Sequence, residues 1–338
     1  MRLSALAVLL SLFSGPALAQ SPAPFTISET GRSFGNLAQA VDAIGDADGT
    51  ILIAPGRYAD CAVQTAGRVA FVAREPGTVT FDGGICEGKA TLVLRGRAAH
   101  VEGLRFTRQN VPDGNGAGIR LERSNLSVVR SHFVDAQSGI LSGDDPAATI
   151  TIDRSTFSGL GKHPNGHGAH GIYIGQYGAL KITASRFERG TGGHYVKSRA
   201  PRIEVLDSSF DDSHGRETNY LIDLPNGATG RIAGNSFVNG LGKENHTAMI
   251  TIAPEGRINS SQGLIIEGNR AWTVPGYPWT TAFIGNWSGD EIIERGNVLA
   301  PRLTKVQRLS AHSPAQLIRS ALALIRNRTQ AWLTSHDA

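Results

Sequence analysis

Six phenylalanines, Phe106, Phe133, Phe157, Phe187, Phe210 and Phe237, recur at intervals of 27, 24, 30, 23 and 27 residues. Each closes a short segment with a shared context, as in Arg130-Ser131-His132-Phe133, Asp207-Ser208-Ser209-Phe210 and Gly234-Asn235-Ser236-Phe237. A further copy, Gly268-Asn269-Arg270-Ala271, puts alanine in place of the aromatic ring. Within the repeats apolar residues alternate at period two, as in Thr149-Ile150-Thr151-Ile152 and Ile203-Glu204-Val205-Leu206, which is the pattern of strand rather than helix. One such coil cannot bury its inner face alone, whereas stacked coils share a continuous core. Strands at the same place in successive coils run parallel, so the repeat predicts an all-β solenoid, a parallel β-helix. The unequal intervals place insertions between fixed strands, as when loops project from one edge of a solenoid. A sandwich or propeller is the structural alternative, but the two-residue hairpin turns it needs are missing.

Glycine makes up 41 of 338 residues, about 12%, against an average near ~7%, and no Gly-X-Y period accompanies it. The excess is therefore expected in tight turns. Residues 1–19 have the form of an export signal: Arg2, an apolar run from Leu3 to Phe13, and Ala17-Leu18-Ala19 before the cleavage point at Gln20. That run falls short of the ~20 residues a membrane anchor needs, so a soluble periplasmic or secreted protein is expected. Removing the signal takes the net charge from +4 to +3, since one arginine is lost. So small an excess does not argue for nucleic acid, although it would suit an anionic polymer. In an oxidising compartment Cys61 and Cys86, 25 residues or about one repeat apart, are expected to form a disulfide between neighbouring coils, the alternative being two buried thiols. Leu37, Val41 and Ile44 have helical spacing, with Gly45 as a stop, and predict a helix that covers the N-terminal end of the solenoid. Ser313-Pro314 opens a second amphipathic helix, with Leu317, Ile318, Ala321, Leu322 and Ile325 as its stripe. The expected divisions are a signal at 1–19, a β-helix domain at 20–300 and a helical extension at 301–338.

Leu37-Ala38-Gln39-Ala40-Val41, then Gly49-Thr50-Ile51-Leu52-Ile53-Ala54-Pro55-Gly56-Arg57-Tyr58, then Val79-Thr80-Phe81-Asp82-Gly83 resemble the opening of pectate-lyase-like right-handed β-helix proteins. The resemblance covers roughly residues 30 to 300. It implies a right-handed coil, and members of that superfamily often act on acidic polysaccharides, frequently as lyases. Fold alone does not fix activity. Locally, Val196-Lys197-Ser198 resembles the strand of the chondroitinase B and alginate lyase family (polysaccharide lyase family 6), in which a lysine of a Lys-Ser pair is the base. That family carries Arg-His-Gly on the next coil, and this chain departs from it with Leu221-Ile222-Asp223-Leu224, leaving the acid unassigned.

The residues themselves point to the same region. Gly171-Ile172-Tyr173-Ile174, His194-Tyr195-Val196-Lys197 and Tyr220-Leu221-Ile222-Asp223 are matching segments, so stacking would align Tyr173, Lys197 and Asp223 in one outward ladder. β-Elimination of a uronate needs a base for the C5 proton, cations for the carboxylate and an acid for the leaving oxygen. Lys197 is the candidate base if neighbouring positive charge lowers its pKa; Arg199, Tyr173 and His194 complete the catalytic set. A surface ion pair between Lys197 and Asp223 is the plain alternative. His170, Arg216, Asn219, Asp223 and His246 are the candidate substrate contacts. His163 and His167 share the glycine-rich loop before Tyr173, and without cysteine or carboxylate that loop is a weak metal signal. No metal ligand is assigned; calcium is conceivable at Asp144-Asp145 or Asp211-Asp212. The reading is an exported, monomeric polysaccharide lyase or C5-epimerase. A glycoside hydrolase ranks lower because Asp223 has no evident second carboxylate. A non-catalytic carbohydrate-binding β-helix remains, given the late cluster Trp272, Tyr277, Trp279 and Trp287.

Overall fold

The computed structural model describes residues 23–161 and 169–309. The export signal, the C-terminal helix, His163 and His167 lie outside the described residues. Three long sheets, of twelve, ten and ten strands, run the length of the described chain. In each, a strand pairs in parallel with the equivalent strands of the coils before and after it; Phe25–Ile27 and Ser33–Phe34 add an antiparallel start to the first sheet. The chain is a right-handed parallel β-helix, the usual hand for crossovers between parallel strands. The one helix among the described residues, Leu37–Ile44, is capped by Asn36, whose side chain accepts from the Gln39 N–H, and packs Leu37, Ala40, Val41 and Ile44 against the first coil. It closes the N-terminal end as expected. At the other end the coils continue to the strand Leu303–Arg308, past the boundary expected at 300.

The repeat phenylalanines all point inward and occupy one register. Phe81, Phe106, Phe133, Phe157, Phe187, Phe210 and Phe237 pair strand to strand, followed by Ala271. From Phe106 to Phe237 successive ring centroids are 4.8 to 5.0 Å apart and within 10° of parallel. Those distances match the inter-strand spacing of a sheet, so stacking costs the backbone no distortion.

A second ladder explains the Ser and Asn two residues before each stacked phenylalanine. Backbone N–H groups of Ser131, Ser155 and Ser185 donate to the hydroxyls of Ser155, Ser185 and Ser208. The series continues through the amide oxygens of Asn235, Asn269 and Asn297. It satisfies donors at the corner between sheets, where neither sheet reaches. The residue before each rung is left-handed: Gly234, Gly268 and Gly296 in some coils, but Arg130, Arg154, Ala184 and Asp207 in others, at φ of 46°, 46°, 45° and 50°.

Cys61 and Cys86 form the disulfide, with Cα atoms 5.5 Å apart. The protein unfolded without reductant should therefore show no thiol reactive to alkylation, and two labelled cysteines would contradict the bridge. Phe187→Ala should lower stability by ~3–5 kcal/mol in denaturant titration, through lost burial and a cavity between two rings. A change within ~0.5 kcal/mol, the range of surface substitutions, would mean the ring is not part of the stack.

Candidate functional site

The outward ladder forms on the third sheet. Leu141 pairs with Tyr173, Tyr173 with Lys197, Lys197 with Asp223, and Asp223 with Thr251. The strands there, Ile172–Ile174, Val196–Ser198 and Ile222–Leu224, are three residues each, bounded by inserted loops. The ladder is not an open surface. Lys197 is 7% exposed and Asp223 1% exposed, although both face away from the core. What covers them is the loop after Ala248–Ile252, which brings in Glu255.

Glu255 is the residue the sequence did not reveal. Lys197 Nζ donates to Asp223 Oδ2 at 3.1 Å and to Glu255 Oε1. Arg199 Nη2 donates to the other oxygen, Oε2, at 2.6 Å, and Arg199 Nη1 to Asn226 Oδ1 at 2.6 Å. Arg199 then reaches back one coil, where its Nε donates to Tyr173 Oη at 2.9 Å. Thr251 Oγ1 donates to Asp223 Oδ1 at 2.7 Å. One hydrogen-bonded group thus joins Tyr173, Arg199, Glu255, Lys197 and Asp223 over four coils.

The charge balance differs from the one expected for a lysine base. Burial by itself would lower the Lys197 pKa, but the Asp223 and Glu255 carboxylates outweigh it and hold the ammonium above its ordinary value. Arg199 was expected to depress Lys197; its charge is instead taken up by Glu255. Burial would raise Glu255, yet Lys197 and Arg199 keep it below the usual carboxylate range. Burial pushes Asp223 up, with Lys197 and Thr251 offsetting part of the effect.

His170 and His194 lie three residues ahead of Tyr173 and Lys197, at the entry to the sheet. The His194 backbone N–H donates to His170 Nδ1 at 3.1 Å, so that nitrogen is an acceptor. The 3.2 Å contact between the two Nδ1 atoms then requires His194 Nδ1 to carry the proton. His194 Nε2 is left with its lone pair, 3.5 Å from Asp223 Oδ2. Burial keeps both imidazoles well below their ordinary pKa, aided by His194 and Lys197 for His170 and by Lys197 for His194. Tyr220 continues the line, its ring 5.5 Å from His194 and its hydroxyl accepting from Asn245 Nδ2 at 2.8 Å. Burial raises the Tyr220 pKa to about 12.

The remaining candidates lie further along. Asn219 donates to Glu244 at 3.2 Å. Arg216 is exposed on a small two-stranded sheet, Arg216–Thr218 with Gly242–Lys243, and makes no ion pair among the described residues. His246 stacks on Trp279 with centroids 3.5 Å apart, one coil beyond Tyr220. The loops bearing these residues rest on a fully buried ion pair, Lys243 Nζ to Asp212 Oδ2 at 3.2 Å. Asp212 Oδ1 also accepts from Tyr195 Oη at 2.7 Å and Thr218 Oγ1 at 2.8 Å. Asp212 is therefore committed to the scaffold and is no calcium ligand; Asp144 and Asp145 accept from the backbone N–H groups of Gln176 and Ser124. Among the described residues no group of three or more His, Cys, Asp or Glu side chains is arranged to hold a metal.

On the N-terminal side of the cluster a groove of about 450 Å³ follows the same sheet, lined by Lys89, Asn115, Arg120, Ser138, His170 and Tyr173 among others. Arg120 stands on the ladder itself, paired with Leu141, and its buried Nε has no hydrogen-bond partner. Along the solenoid axis Arg120 is followed in register by Leu141, Tyr173 and Lys197.

No protein-family model matches the chain, and no curated protein does. Among solved structures, the pectin methylesterase of Aspergillus niger in penultimately deglycosylated form is similar at 12% identity and a TM-score of 0.48, over 88% of this chain and 94% of that one. A tailspike protein of Acinetobacter baumannii bacteriophage Fri1, a capsular polysaccharide depolymerase, is similar at 10% identity and a TM-score of 0.40, over 84% of this chain and 62% of that one. Likeness at this level carries no conclusion about chemistry; the fold rests on the chain's own hydrogen-bonded sheets.

The neutral histidines give a pH test. Their pKa is depressed by folding, so the unfolded state binds more protons below its ordinary value of 6.5, and stability is lost as pH falls from there. The unfolding free energy should decline between about pH 6.5 and 5, above the range where carboxylates contribute. His194→Gln should flatten that slope; an unchanged slope would mean His194 is not held neutral.

Proposed function

We propose that the protein is an exported enzyme that acts on an acidic, uronate-containing polysaccharide by β-elimination, with the Tyr173, Lys197 and Asp223 ladder at its centre. The observation that carries this reading is Tyr173 Oη held by Arg199 Nε at 2.9 Å at the end of a groove lined by Arg120, whose Nε has no hydrogen-bond partner among the described residues. The disulfide supports an oxidising compartment.

Lys197 Nζ is held as an ammonium between two carboxylates, whereas Tyr173 Oη is the oxygen of the ladder that accepts from Arg199 Nε. The base role first given to Lys197 therefore passes to Tyr173. Lys197 acts as a fixed charge: with Arg199 it neutralises the substrate carboxylate, for which Glu255 is the resident substitute. The C5 proton moves to Tyr173 Oη, its electron pair forms the C4–C5 double bond, the C4–O bond breaks, and the departing oxygen takes the proton back from Tyr173. Asp223, with His194 beside it, holds Lys197 in position. His170, Asn219, Arg216 and His246 contact sugar hydroxyls along the axis. Return of a proton to the opposite face of C5 would give epimerisation from the same first step.

Glu255 favours one second reading, glycoside hydrolysis. It supplies the second carboxylate the sequence lacked, and the environments of the two acids push Asp223 up and Glu255 down, as an acid and base pair requires.

Incubation with a panel of uronate polymers separates these readings. Elimination gives an ultraviolet-absorbing unsaturated product; Tyr173→Phe should cut its rate at least ~100-fold while polymer affinity changes little, because proton transfer occurs only in the transition state. Full activity in Tyr173→Phe would overturn the assignment. New reducing ends without absorbance, lost in Glu255→Gln, would establish hydrolysis, and binding without product would leave a carbohydrate-binding module.

A further inference from the structure

The first sheet carries a second constellation, on a different face from the ladder. His100 and Ser127 are register partners on adjacent strands, Ala98–Glu102 and Asn125–Val129, and both side chains point outward. His100 Nδ1 lies 3.2 Å from Ser127 Oγ, and His100 Nε2 lies 2.9 Å from Glu102 Oε2. A hydroxyl, an imidazole and a carboxylate are thus joined in line by two hydrogen bonds. They open into a groove of about 600 Å³ lined by His100, Ser127, Asn125, Thr151, Ala70 and Arg68 among others.

We propose that Ser127, His100 and Glu102 form an esterolytic site that hydrolyses short-chain acyl esters, with Ser127 as nucleophile. Nucleophile, base and orienting acid within hydrogen-bond reach of one another are the signature of covalent acyl transfer, recognised by geometry rather than by sequence position. The contacts fix the tautomer: ionised Glu102 accepts from Nε2–H, which leaves the Nδ1 lone pair toward the serine. Glu102 is kept ionised by its hydrogen bond to His100 together with Arg130, against the opposing effect of burial. The floor of the groove is built of Ala70, Ala98, Thr50 and Thr151, small side chains that leave room for an acetyl-sized group but offer no long apolar channel. Asn125 Oδ1 is engaged by the Thr149 N–H at 2.7 Å, so its amide nitrogen is the donor left for a developing oxyanion; the Arg68 guanidinium, whose Nε pairs with Asp48 at 3.6 Å, lines the same groove.

The chemistry balances without any added redox partner. Ser127 Oγ bonds to the ester carbonyl carbon as His100 Nδ1 takes its proton. The tetrahedral intermediate expels the alkoxide, which receives that proton, leaving an acyl-serine. Water attacks the acyl carbon, gives its proton to His100, and the carboxylic acid departs as Ser127 is reprotonated. The net reaction is ester plus water to alcohol plus acid.

Treatment of the native full-length protein with a fluorophosphonate probe, followed by peptide mass spectrometry, tests the assignment without knowledge of the natural ester. Ser127 should be labelled one-to-one, and p-nitrophenyl acetate should be turned over. His100→Asn retains the hydroxyl but removes the base, so labelling and turnover should each fall at least ~100-fold, with near-ultraviolet circular dichroism unchanged. Absent labelling of the wild-type protein, or equal labelling in His100→Asn, would overturn the proposal, as would turnover that survives Ser127→Ala. The wild-type labelling decides the matter even if a variant fails to fold.

Discussion

Coil-to-coil register is the constraint on which this structure depends. Because the side-chain period of a strand is two, a slip of one residue between coils would turn the core residues to solvent. The phenylalanine stack prevents that slip on one side of the interior, since each ring packs on its neighbour at the spacing the sheets already impose. The Ser and Asn ladder fixes the corner, where each side chain accepts from the next backbone in turn. With both in place, a position in one coil determines which residues stand beside it in the neighbouring coils. The polar columns on the outside are consequences of this internal registry. Tyr173, Lys197 and Asp223 are adjacent because Ile172, Val196 and Ile222 are.

What registry governs was legible in the sequence, and what loops supply was not. The inward phenylalanines, the alanine copy at Ala271 and the outward ladder all follow from counting within repeats. Glu255 could not be found that way, because it stands on an insertion after its strand and has no register mate. The only sequence hint is the turn Ala253-Pro254-Glu255-Gly256, directly after the strand that follows Asp223, with Ala253 in a left-handed conformation. Glu255 adds to Asp223 in holding the Lys197 ammonium above its ordinary value, opposite to the direction expected from neighbouring positive charge. Arg216 and His246 share an edge with the ladder in sequence, but Arg216 stands on the small two-stranded sheet and His246 packs on Trp279. His100, Ser127 and Glu102 read in sequence as ordinary polar positions of alternating strands; only the pairing of those strands brings them together.

The site region also differs from the rest of the solenoid in how it is buried. Elsewhere the outer faces carry exposed ion pairs such as Lys181 with Glu204, worth little individually. Around the ladder the inserted loops fold back over the sheet, so Lys197, Asp223 and His194 sit in a restricted environment although they face outward. Interactions there are stronger than at an open surface because less water screens them. A plain β-helix sheet is therefore converted into a site by insertions at its edge, with the strands themselves unchanged.

The loops are in turn held by Lys243 and Asp212, both sealed from solvent. Removing either partner of such a pair strands the other charge in the interior, whereas replacing both with apolar groups can be nearly neutral. The two positions therefore form one unit of inheritance: single changes at either one pass through a damaged intermediate, and tolerated variation must alter both together. Between homologues, the pair would be recognised by joint retention or joint loss.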